Sequence, residues 1–310
     1  MQWSQIKTLF ILCFFLLDIY LLIQFTDKQK KEDLDVLKEQ ISTIEDNLKA
    51  DNITISDDVS NEVKDGTYIA VKKQVFSEEE VRSLKAASTQ ETAIIDQEFI
   101  ISKLKDPVKV EEDATNEAIA GLVKNELELV SPESYKYWGW NKEMNVLLFF
   151  QTKKNRPIYF NPNGIVLVYL NQENEIDFYS QTLLGEIDEE SGEQKVTPIQ
   201  AISVLYQRNE LTPNTEVSKV ELGYFTRIPL DNATQVFAPT WQVTTGDKVN
   251  YFVNAIEPSV FTSDDLVFLT DSMQRMTEKV MQIEKNEELK EYLLKQLENR
   301  VIGINRSESE

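Results

Sequence analysis

An unbroken apolar run between Lys7 and Lys28 constrains this chain more than any other feature of its sequence. The run covers residues 8–27 and has the sequence TLFILCFFLLDIYLLIQFTD. About 20 residues at ~1.5 Å per residue of helix match the ~30 Å hydrocarbon core of a bilayer. We therefore predict one transmembrane anchor at residues 8–27, preceded by a short cytoplasmic N-terminus at residues 1–7.

The length of the run favours an anchor that is kept over a signal peptide that is removed. A secretory signal peptide has an apolar core of about 7–15 residues and ends at a cleavage site with small residues. This run is longer, and it ends in Gln24-Phe25-Thr26-Asp27, which has no such site. We expect an uncleaved signal anchor.

One carboxylate lies near the middle of the predicted span. Placing Asp18 in hydrocarbon costs about 2.5–3.5 kcal/mol on insertion scales, so its presence suggests a function. The hypothesis is that Asp18, with Tyr20 and Gln24, hydrogen-bonds to the transmembrane helix of a partner protein. The alternative is that Asp18 is protonated, or lies close enough to the interface to be hydrated.

A short heptad pattern follows the anchor, in a region that we assign as a juxtamembrane helix and linker at residues 28–55. Its apolar positions recur at spacings of three and four: Leu34, Leu37, Ile41, Ile44 and Leu48. Two heptads are too few for a stable coiled coil alone, although they continue a helix that the membrane would order. We expect these residues either to pair with another chain or to pack on the chain's own folded part. Residues 47–66 are polar and acidic, which is typical of a linker.

The residue inventory excludes several classes of chemistry. The chain has no histidine, and its single cysteine, Cys13, lies in the apolar run. His-dependent and Cys-dependent catalysis, His/Cys zinc sites and disulfides in the folded part are therefore excluded. A net charge of −21 repels nucleic acid, so we expect no nucleic-acid partner. Because the acidic clusters also lack the spacing of a calcium loop, we predict no enzyme activity, no cofactor and no metal site.

Residues 56–190 are predicted to form a first α+β unit. A capping box from Ser77 to Glu80 begins one helix, and apolar spacing predicts a second helix within Asp113–Leu129. Four segments rich in β-branched and aromatic residues then alternate with turns, which predicts an antiparallel meander. These segments are Met144–Thr152, Arg156–Phe160, Ile165–Leu170 and Ile176–Leu184.

Two further expectations concern this unit. Trp138 and Trp140 are two residues apart in the sequence YWGW, so they are expected to lie on one face of a strand and to pack in or beside the core. The stretch from Leu184 to Gly192 is acidic and is predicted to be a connection between units.

A second α+β unit is predicted at residues 191–262, and a charged helical tail at residues 263–310. Thr197 caps the helix of the second unit, Pro198 is its first residue and Gln200 completes the capping box. Strands follow at Val217–Phe225, Gln235–Thr244 and Val249–Ala255. Whether the tail packs on the folded part or on a partner is left open by its pattern. The predicted fold class is thus α+β, with one transmembrane helix followed by two small units of helix on antiparallel sheet.

Two parts of the sequence resemble a known family. The segment WSQIKTLFILCFFLLDIYLLIQF, from Trp3 to Phe25, resembles the N-terminus of YycI proteins. Three pieces of the second unit are similar to the PepSY-like repeat of YycI and the related YycH: Val196–Ile202, Ala238–Trp241 and Tyr251–Ala255. YycI proteins are single-pass regulators of the WalK (YycG) sensor kinase, which controls cell-wall metabolism in low-GC Gram-positive bacteria.

The resemblance implies a regulatory protein without catalytic residues. It implies a complex with a WalK-like kinase and a YycH-like protein, formed largely through transmembrane helices. It also implies a cell-membrane location with the N-terminus in the cytoplasm and the folded part outside, whereas the flanking lysines alone slightly favour the opposite orientation. The partner-binding positions would then be Asp18, Tyr20, Gln24, Leu34, Leu37, Ile41 and Ile44. The alternative is an exported PepSY-like module that holds a ligand between its two sheets or restrains a protease.

Overall fold

The computed structural model describes residues 7, 11–24, 44–57, 59–60, 62–229 and 234–307. The chain divides into two compact units. The smaller unit contains the described residues up to Ile55 together with Leu205–Glu216, and the larger contains Ser56–Val204 and Val217–Glu310. Helices combine with antiparallel sheets, which confirms the predicted α+β class.

Part of the apolar run is helical. Residues 11–24 form a helix whose large apolar side chains are exposed, among them Phe14 and Leu22. Within the described ranges, no helix has both the length and the hydropathy that crossing a bilayer requires. The anchor at residues 8–27 stays a prediction.

The smaller unit joins a short helix to a segment that is distant in sequence. Residues 44–50 are helical and lead into strand β1, Thr54–Ile55. The backbone N–H of Thr54 donates to the carbonyl of Thr215 at 3.0 Å. The Tyr206 hydroxyl also donates to the Asp51 carboxylate at 2.7 Å. The predicted linker is therefore partly folded, because backbone pairing gives its polar sequence an ordered partner.

The first sheet of the larger unit has seven antiparallel strands. Its strands are β3 (Gln90–Ile95), β4 (Phe99–Lys109), β5 (Tyr135–Asn141), β6 (Val146–Lys153), β7 (Arg156–Pro157), β8 (Ile165–Leu170) and β9 (Glu175–Thr182). The spatial order is β3-β4-β9-β8-β6-β5, and the short β7 pairs with β6. Because β7 ends at Pro157, the segment predicted at Arg156–Phe160 is mostly not a strand.

Turn residues in the left-handed region separate these strands. Lys154 and Asn155, between β6 and β7, have φ values of 51° and 59°. Two consecutive positive φ values are the signature of a type I′ hairpin turn, whose twist matches that of the flanking strands. The predicted turn at Lys154-Asn155 therefore sets the β6–β7 register.

Helices cover both faces of this sheet. One face packs against helices α1 (Glu78–Ala86) and α2 (Asn116–Glu126) through buried residues that include Leu84 and Val123. The other face packs against the tail, which forms α4 (Asp265–Met281) and α5 (Glu287–Ser307). All six residues of β8 are buried, as expected for a central strand covered on both sides. The tail therefore packs on the folded part of this chain.

The second sheet contains strands from widely separated parts of the sequence. In the larger unit its strands are β2 (Lys64–Lys73), β10 (Leu184–Val196), β11 (Glu216–Phe225), β12 (Gln235–Thr245), β13 (Asn250–Asn254) and β14 (Val260–Thr262). The start of β12 pairs with β2, and the rest of β12 lies between β11 and β13. Helix α3 (Pro198–Gln207) precedes β11, and the Thr197 N–H donates to the Gln200 side chain at 2.8 Å.

The prediction of an acidic connection between Leu184 and Gly192 is wrong. This stretch belongs to β10, which pairs antiparallel with β2 through three register shifts. Backbone hydrogen bonds stabilise this strand. Most of its side chains are charged or polar, so the sequence shows no apolar alternation from which the strand could be recognised. Strands β2, β3 and β4 were also missed, and β2 joins the second sheet although it precedes the first in sequence.

The two sheets of the larger unit are joined at one close backbone contact. The N–H of Tyr159 donates to the carbonyl of Tyr224 at 2.8 Å. A Cβ atom built on the neighbouring Gly223 would lie 2.3 Å from Cε2 of Tyr159 and 2.6 Å from the carbonyl oxygen of Pro157. Only a glycine allows this approach, because both neighbours are held in place.

We predict that Gly223→Ala lowers the free energy of unfolding by about 1–3 kcal/mol, because the new methyl group has no space. The matched control is Gly121→Ala in α2, where a built Cβ meets no atom within 4 Å. Removing a glycine from a helix there should stabilise the protein by about 0.4–1 kcal/mol. Urea unfolding of both variants measures the difference. Equal effects would contradict the proposed close contact.

We also predict that Leu293→Ala in α5 lowers the free energy of unfolding by about 2–5 kcal/mol. Leu293 is fully buried in the core between the first sheet and the tail. Its control is Val267→Ala in α4, at a side chain that is 58% exposed, which should change the stability by less than about 0.5 kcal/mol. Urea titration followed by tryptophan fluorescence distinguishes the two. A negligible effect of Leu293→Ala would mean that the tail is not docked.

Candidate functional site

A cleft of about 820 Å³ lies along strand β5 in the larger unit. Six consecutive residues of β5, from Tyr135 to Trp140, line it on one side. Residues of β11, β12 and β13 form the opposite wall, including Glu221 and Gln242. Residues of helix α2 and the first residue of α4, Asp265, also line it. A cleft of this volume is within the range of ligand-binding pockets.

The interpretation that Trp138 and Trp140 share one face of the strand is wrong. The β5–β6 register shifts between Tyr137 and Gly139, so the strand carries an extra residue there. Such a bulge reverses the alternation of side chains. Trp138 consequently packs with the core on the α4 side, whereas Trp140 packs with the core on the α2 side.

Trp138 forms the aromatic side of the cleft. Its ring centroid lies 5.1 Å from that of Phe150 and 5.6 Å from that of Phe160. Its indole N–H donates to both carboxylate oxygens of Asp265 at 3.2 Å. Burial raises the pKa of Asp265, and this hydrogen bond partly offsets the effect by favouring the ionised form.

Trp140, the next-to-last residue of β5, is held by two polar partners. Its indole N–H donates to Asn145 Oδ1 at 2.9 Å, and the Lys142 ammonium lies 2.9 Å from its ring centroid. Such a contact is a cation–π interaction, which leaves one face of the ring occupied by a charge. The two tryptophans are therefore oriented by polar partners as well as by packing.

The wall opposite β5 carries a carboxylate shared by two lysines. Glu221 pairs with Lys136 of β5 and with Lys219, which lies 2.9 Å away. Burial by itself raises the pKa of Glu221, but the two lysines together outweigh burial and hold it below its ordinary value. The ion pair with Lys136 connects the two walls of the cleft.

Gln242, on the same wall, has an unused acceptor. Its side-chain nitrogen donates to Asn250 Oδ1 at 3.0 Å. Its side chain belongs to a residue that is only 4% exposed, and among the described residues its oxygen Oε1 has no hydrogen-bond partner. A buried acceptor without a partner is costly, and its burial keeps this oxygen out of reach of a molecule that enters the cleft.

The cleft is electrically balanced although the chain is strongly acidic. Its four lysines are Lys124, Lys136, Lys219 and Lys248. Its four carboxylates are Glu117, Glu133, Glu221 and Asp265. A chain with a net charge of −21 thus presents equal numbers of positive and negative side chains at this site. Within the described ranges, no group of three or more Asp, Glu, His or Cys side chains could hold a metal ion.

Of the predicted partner-binding residues on the described helix, the structure brings Tyr20 and Gln24 together and places Asp18 apart from Tyr20. Asp18, Tyr20 and Gln24 are exposed on the helix of residues 11–24. Tyr20 receives a hydrogen bond of 2.9 Å from the Gln24 amide. At about 100° per residue, Asp18 lies on roughly the opposite side of the helix from Tyr20.

The remaining predicted positions are in the juxtamembrane segment. Leu34, Leu37 and Ile41 lie outside the described residues. Ile44 is buried, with 7% of its surface exposed, as is Leu48. A role for Ile44 in pairing with another chain stays a prediction, and its burial fits the alternative of packing on this chain. Sequence reasoning gave a ligand site between two sheets only as the alternative function and assigned no residue to it, although the tryptophans of β5 were a signal for it.

Comparison with known proteins places the chain in a family. The model of the YycI protein family matches residues 31–256, so the chain belongs to the YycI family, as its sequence predicted. The PepSY-like repeat stays a prediction.

The curated proteins and the solved structures give no further information on function. No curated protein matches the sequence. A crystal structure of an uncharacterized protein from Eubacterium rectale ATCC 33656 is similar, with 13% identity and a TM-score of 0.40, over 69% of this chain and 92% of that one.

The ion pairs of Glu221 predict an acid-dependent loss of stability. A carboxylate whose pKa is lower in the folded protein than in the unfolded chain stabilises the fold at pH values above the unfolded pKa, which is about 4.5 for Glu221. This contribution is lost as the pH falls through the pKa of the folded protein. We expect the stability difference between wild type and Glu221→Gln to be constant above about pH 4.5 and to shrink as the pH falls through the lower pKa of Glu221 in the folded protein. Urea titrations between pH 3 and 7 measure this. The dependence should shrink when Lys136→Met is already present, and a difference independent of pH would contradict the assignment.

Proposed function

We propose that the protein is a membrane-anchored, extracytoplasmic regulator without enzymatic activity. It binds a WalK-like sensor kinase together with a YycH-like protein and modulates the kinase, and through it cell-wall metabolism. The observation that carries the proposal is membership of the YycI family over residues 31–256. The apolar run at residues 8–27 supports anchoring in the cell membrane, and the orientation with the N-terminus in the cytoplasm rests on the family.

Regulation through such an anchor requires differential binding. A helix that contacts the kinase in the membrane changes the kinase's activity only if it binds one signalling state more tightly than another. Transmembrane helices associate through close packing and through hydrogen bonds between polar side chains. Asp18, Tyr20 and Gln24 are the side chains of this helix that could make such hydrogen bonds.

Replacing residues 8–27 by an unrelated single-pass helix tests this function. We expect the exchanged protein to reach the membrane in normal amount and to lose most of its effect on kinase autophosphorylation, because the contact surface is gone. The control is the wild-type anchor fused to an unrelated exported domain, which should keep part of the effect. Full activity of the exchanged protein would overturn the proposed mechanism.

The variant Asp18→Leu tests whether Asp18 contributes to the contact between the anchor helix and the kinase. We expect it to weaken co-purification with the kinase from solubilised membranes by about 3–20-fold, as expected for one hydrogen bond of ~0.6–1.7 kcal/mol between helices. Asp18→Asn is the matched control, since it keeps the shape and the hydrogen-bonding ability of the side chain. Unchanged co-purification of Asp18→Leu would show that Asp18 makes no such contact.

A second candidate function is an exported ligand-binding module. The observation that favours it is the balanced, aromatic cleft along β5. A ligand held there could act alone or could report an external condition to the kinase. This candidate predicts that cleft variants, and not anchor variants, abolish activity.

A further inference from the structure

Strand β5 is an open edge of the first sheet. In the part of the chain that the structure describes, it pairs with β6 on one side and with no strand on the other. Side chains on a strand alternate between faces, so a surface that touches only one face would include every second residue. The cleft instead includes all six residues from Tyr135 to Trp140. It therefore runs along the edge of the sheet, where the backbone is open.

The pairing of β6 shows which backbone groups of β5 face the cleft. The Gln151 N–H donates to Gly164, and the Asn145 carbonyl accepts from Leu170, so both residues point toward β8 and away from β5. In an antiparallel sheet the direction alternates, so Val146, Leu148 and Phe150 point toward β5.

The partners of these three β6 residues in the register are Asn141, Gly139 and Lys136. Their backbone groups are used within the sheet. Tyr137 and Trp140, which lie opposite residues of β6 that point toward β8, consequently direct their N–H and C=O groups into the cleft. Tyr137 and Trp140 are three residues apart because the bulge lies between them. A regular strand can nevertheless place alternate residues opposite both, as β6 does with Phe149 and Leu147.

The surroundings of the edge suit an extended chain. Strand β5 has seven residues, which at ~3.3 Å per residue span about 23 Å. Alternate side chains of an added strand would meet the Trp138 face and the Trp140 face of the sheet.

Charge further restricts the occupant. The cleft is balanced, so it does not select a strongly charged segment, while the net charge of −21 repels an acidic one at a distance. Exposed strand edges are normally blocked, because they invite uncontrolled pairing. Here the edge lies inside a cleft, where access is limited to a segment that fits between the two walls.

We propose that the cleft binds an extended, non-acidic segment of a partner polypeptide, which adds as a strand to the free edge of β5. Its apolar side chains alternate between the Trp138 and Trp140 faces, and its backbone pairs with Tyr137 and Trp140. This inference rests on the second candidate function and names its class of ligand. It does not depend on the anchor.

The test uses the full chain in detergent micelles and random linear dodecapeptides displayed on phage as the probe. The best-enriched peptide is synthesised, and its affinity is measured by fluorescence anisotropy. Gly139→Arg is the blocking variant, because Gly139 lines the cleft and a built Cβ there meets nothing within 4 Å. Gly121→Arg is the matched control, with the same added charge and an equally open Cβ position outside the cleft lining.

We expect Gly139→Arg to weaken binding by about 10-fold or more, the effect of losing roughly 1.4 kcal/mol, and Gly121→Arg to leave it within about 2-fold. N-methylation of successive peptide amides gives the second readout. Strand addition requires that every second methylation weakens binding by about 10-fold, since only alternate amides face β5. Methylations between them should have little effect.

Three outcomes would overturn the proposal. The first is that no peptide is recovered whose binding Gly139→Arg weakens. The second is a sensitivity to N-methylation without a period of two. The third is a dimer of the full chain, seen by sedimentation, that Gly139→Arg dissociates, because the occupant would then be a second copy of this chain.

A disaccharide-peptide wall fragment separates this inference from the candidate function on which it rests. If the fragment binds and Gly139→Arg abolishes its binding while no peptide binds, the cleft is a ligand site and strand addition is wrong. If neither probe binds, both the inference and the second candidate function fail.

Discussion

The burial of the first sheet on both faces is the constraint on which the larger unit depends. Strand β8 is wholly buried, and helices α1 and α2 on one side and α4 and α5 on the other exclude water from it. Apolar side chains on both faces of a strand are stable only if both faces are covered. The C-terminal helices are therefore part of the core, and the sheet requires segments from both ends of the folded sequence.

Covering both faces leaves the edges of the sheet as its open hydrogen-bonding surface. At the β5 edge, the second sheet approaches closely enough to form a cleft, because Gly223 permits backbone contact at Tyr159. The ion pair between Lys136 and Glu221 crosses the same cleft. The geometry that joins the sheets is thus also the geometry that creates the candidate binding site.

Several elements could be predicted from local sequence, because local interactions determine them. The Ser77–Glu80 capping box forms as expected, with the Ser77 N–H donating to Glu80 at 2.7 Å. The continuous apolar segment Ile165–Leu170 is a strand with the predicted bounds. Strands β2 and β10 could not be predicted in the same way. The charged residues of β10 show no apolar alternation, and β2 has only a short apolar stretch around Ile69 and Val71. The two strands pair with each other although more than a hundred residues separate them in sequence.

By itself, the sequence determined the α+β class, the family, and the absence of histidine and cysteine chemistry from the folded part, since composition and local pattern suffice for these. Only the tertiary structure decided that the tail packs on the first sheet, that Trp138 and Trp140 face opposite cores, and that a free strand edge lies in a cleft. The physical reason is that each of these depends on contacts between distant segments or on a one-residue bulge. A bulge changes the face of every later side chain and leaves little trace in the sequence pattern.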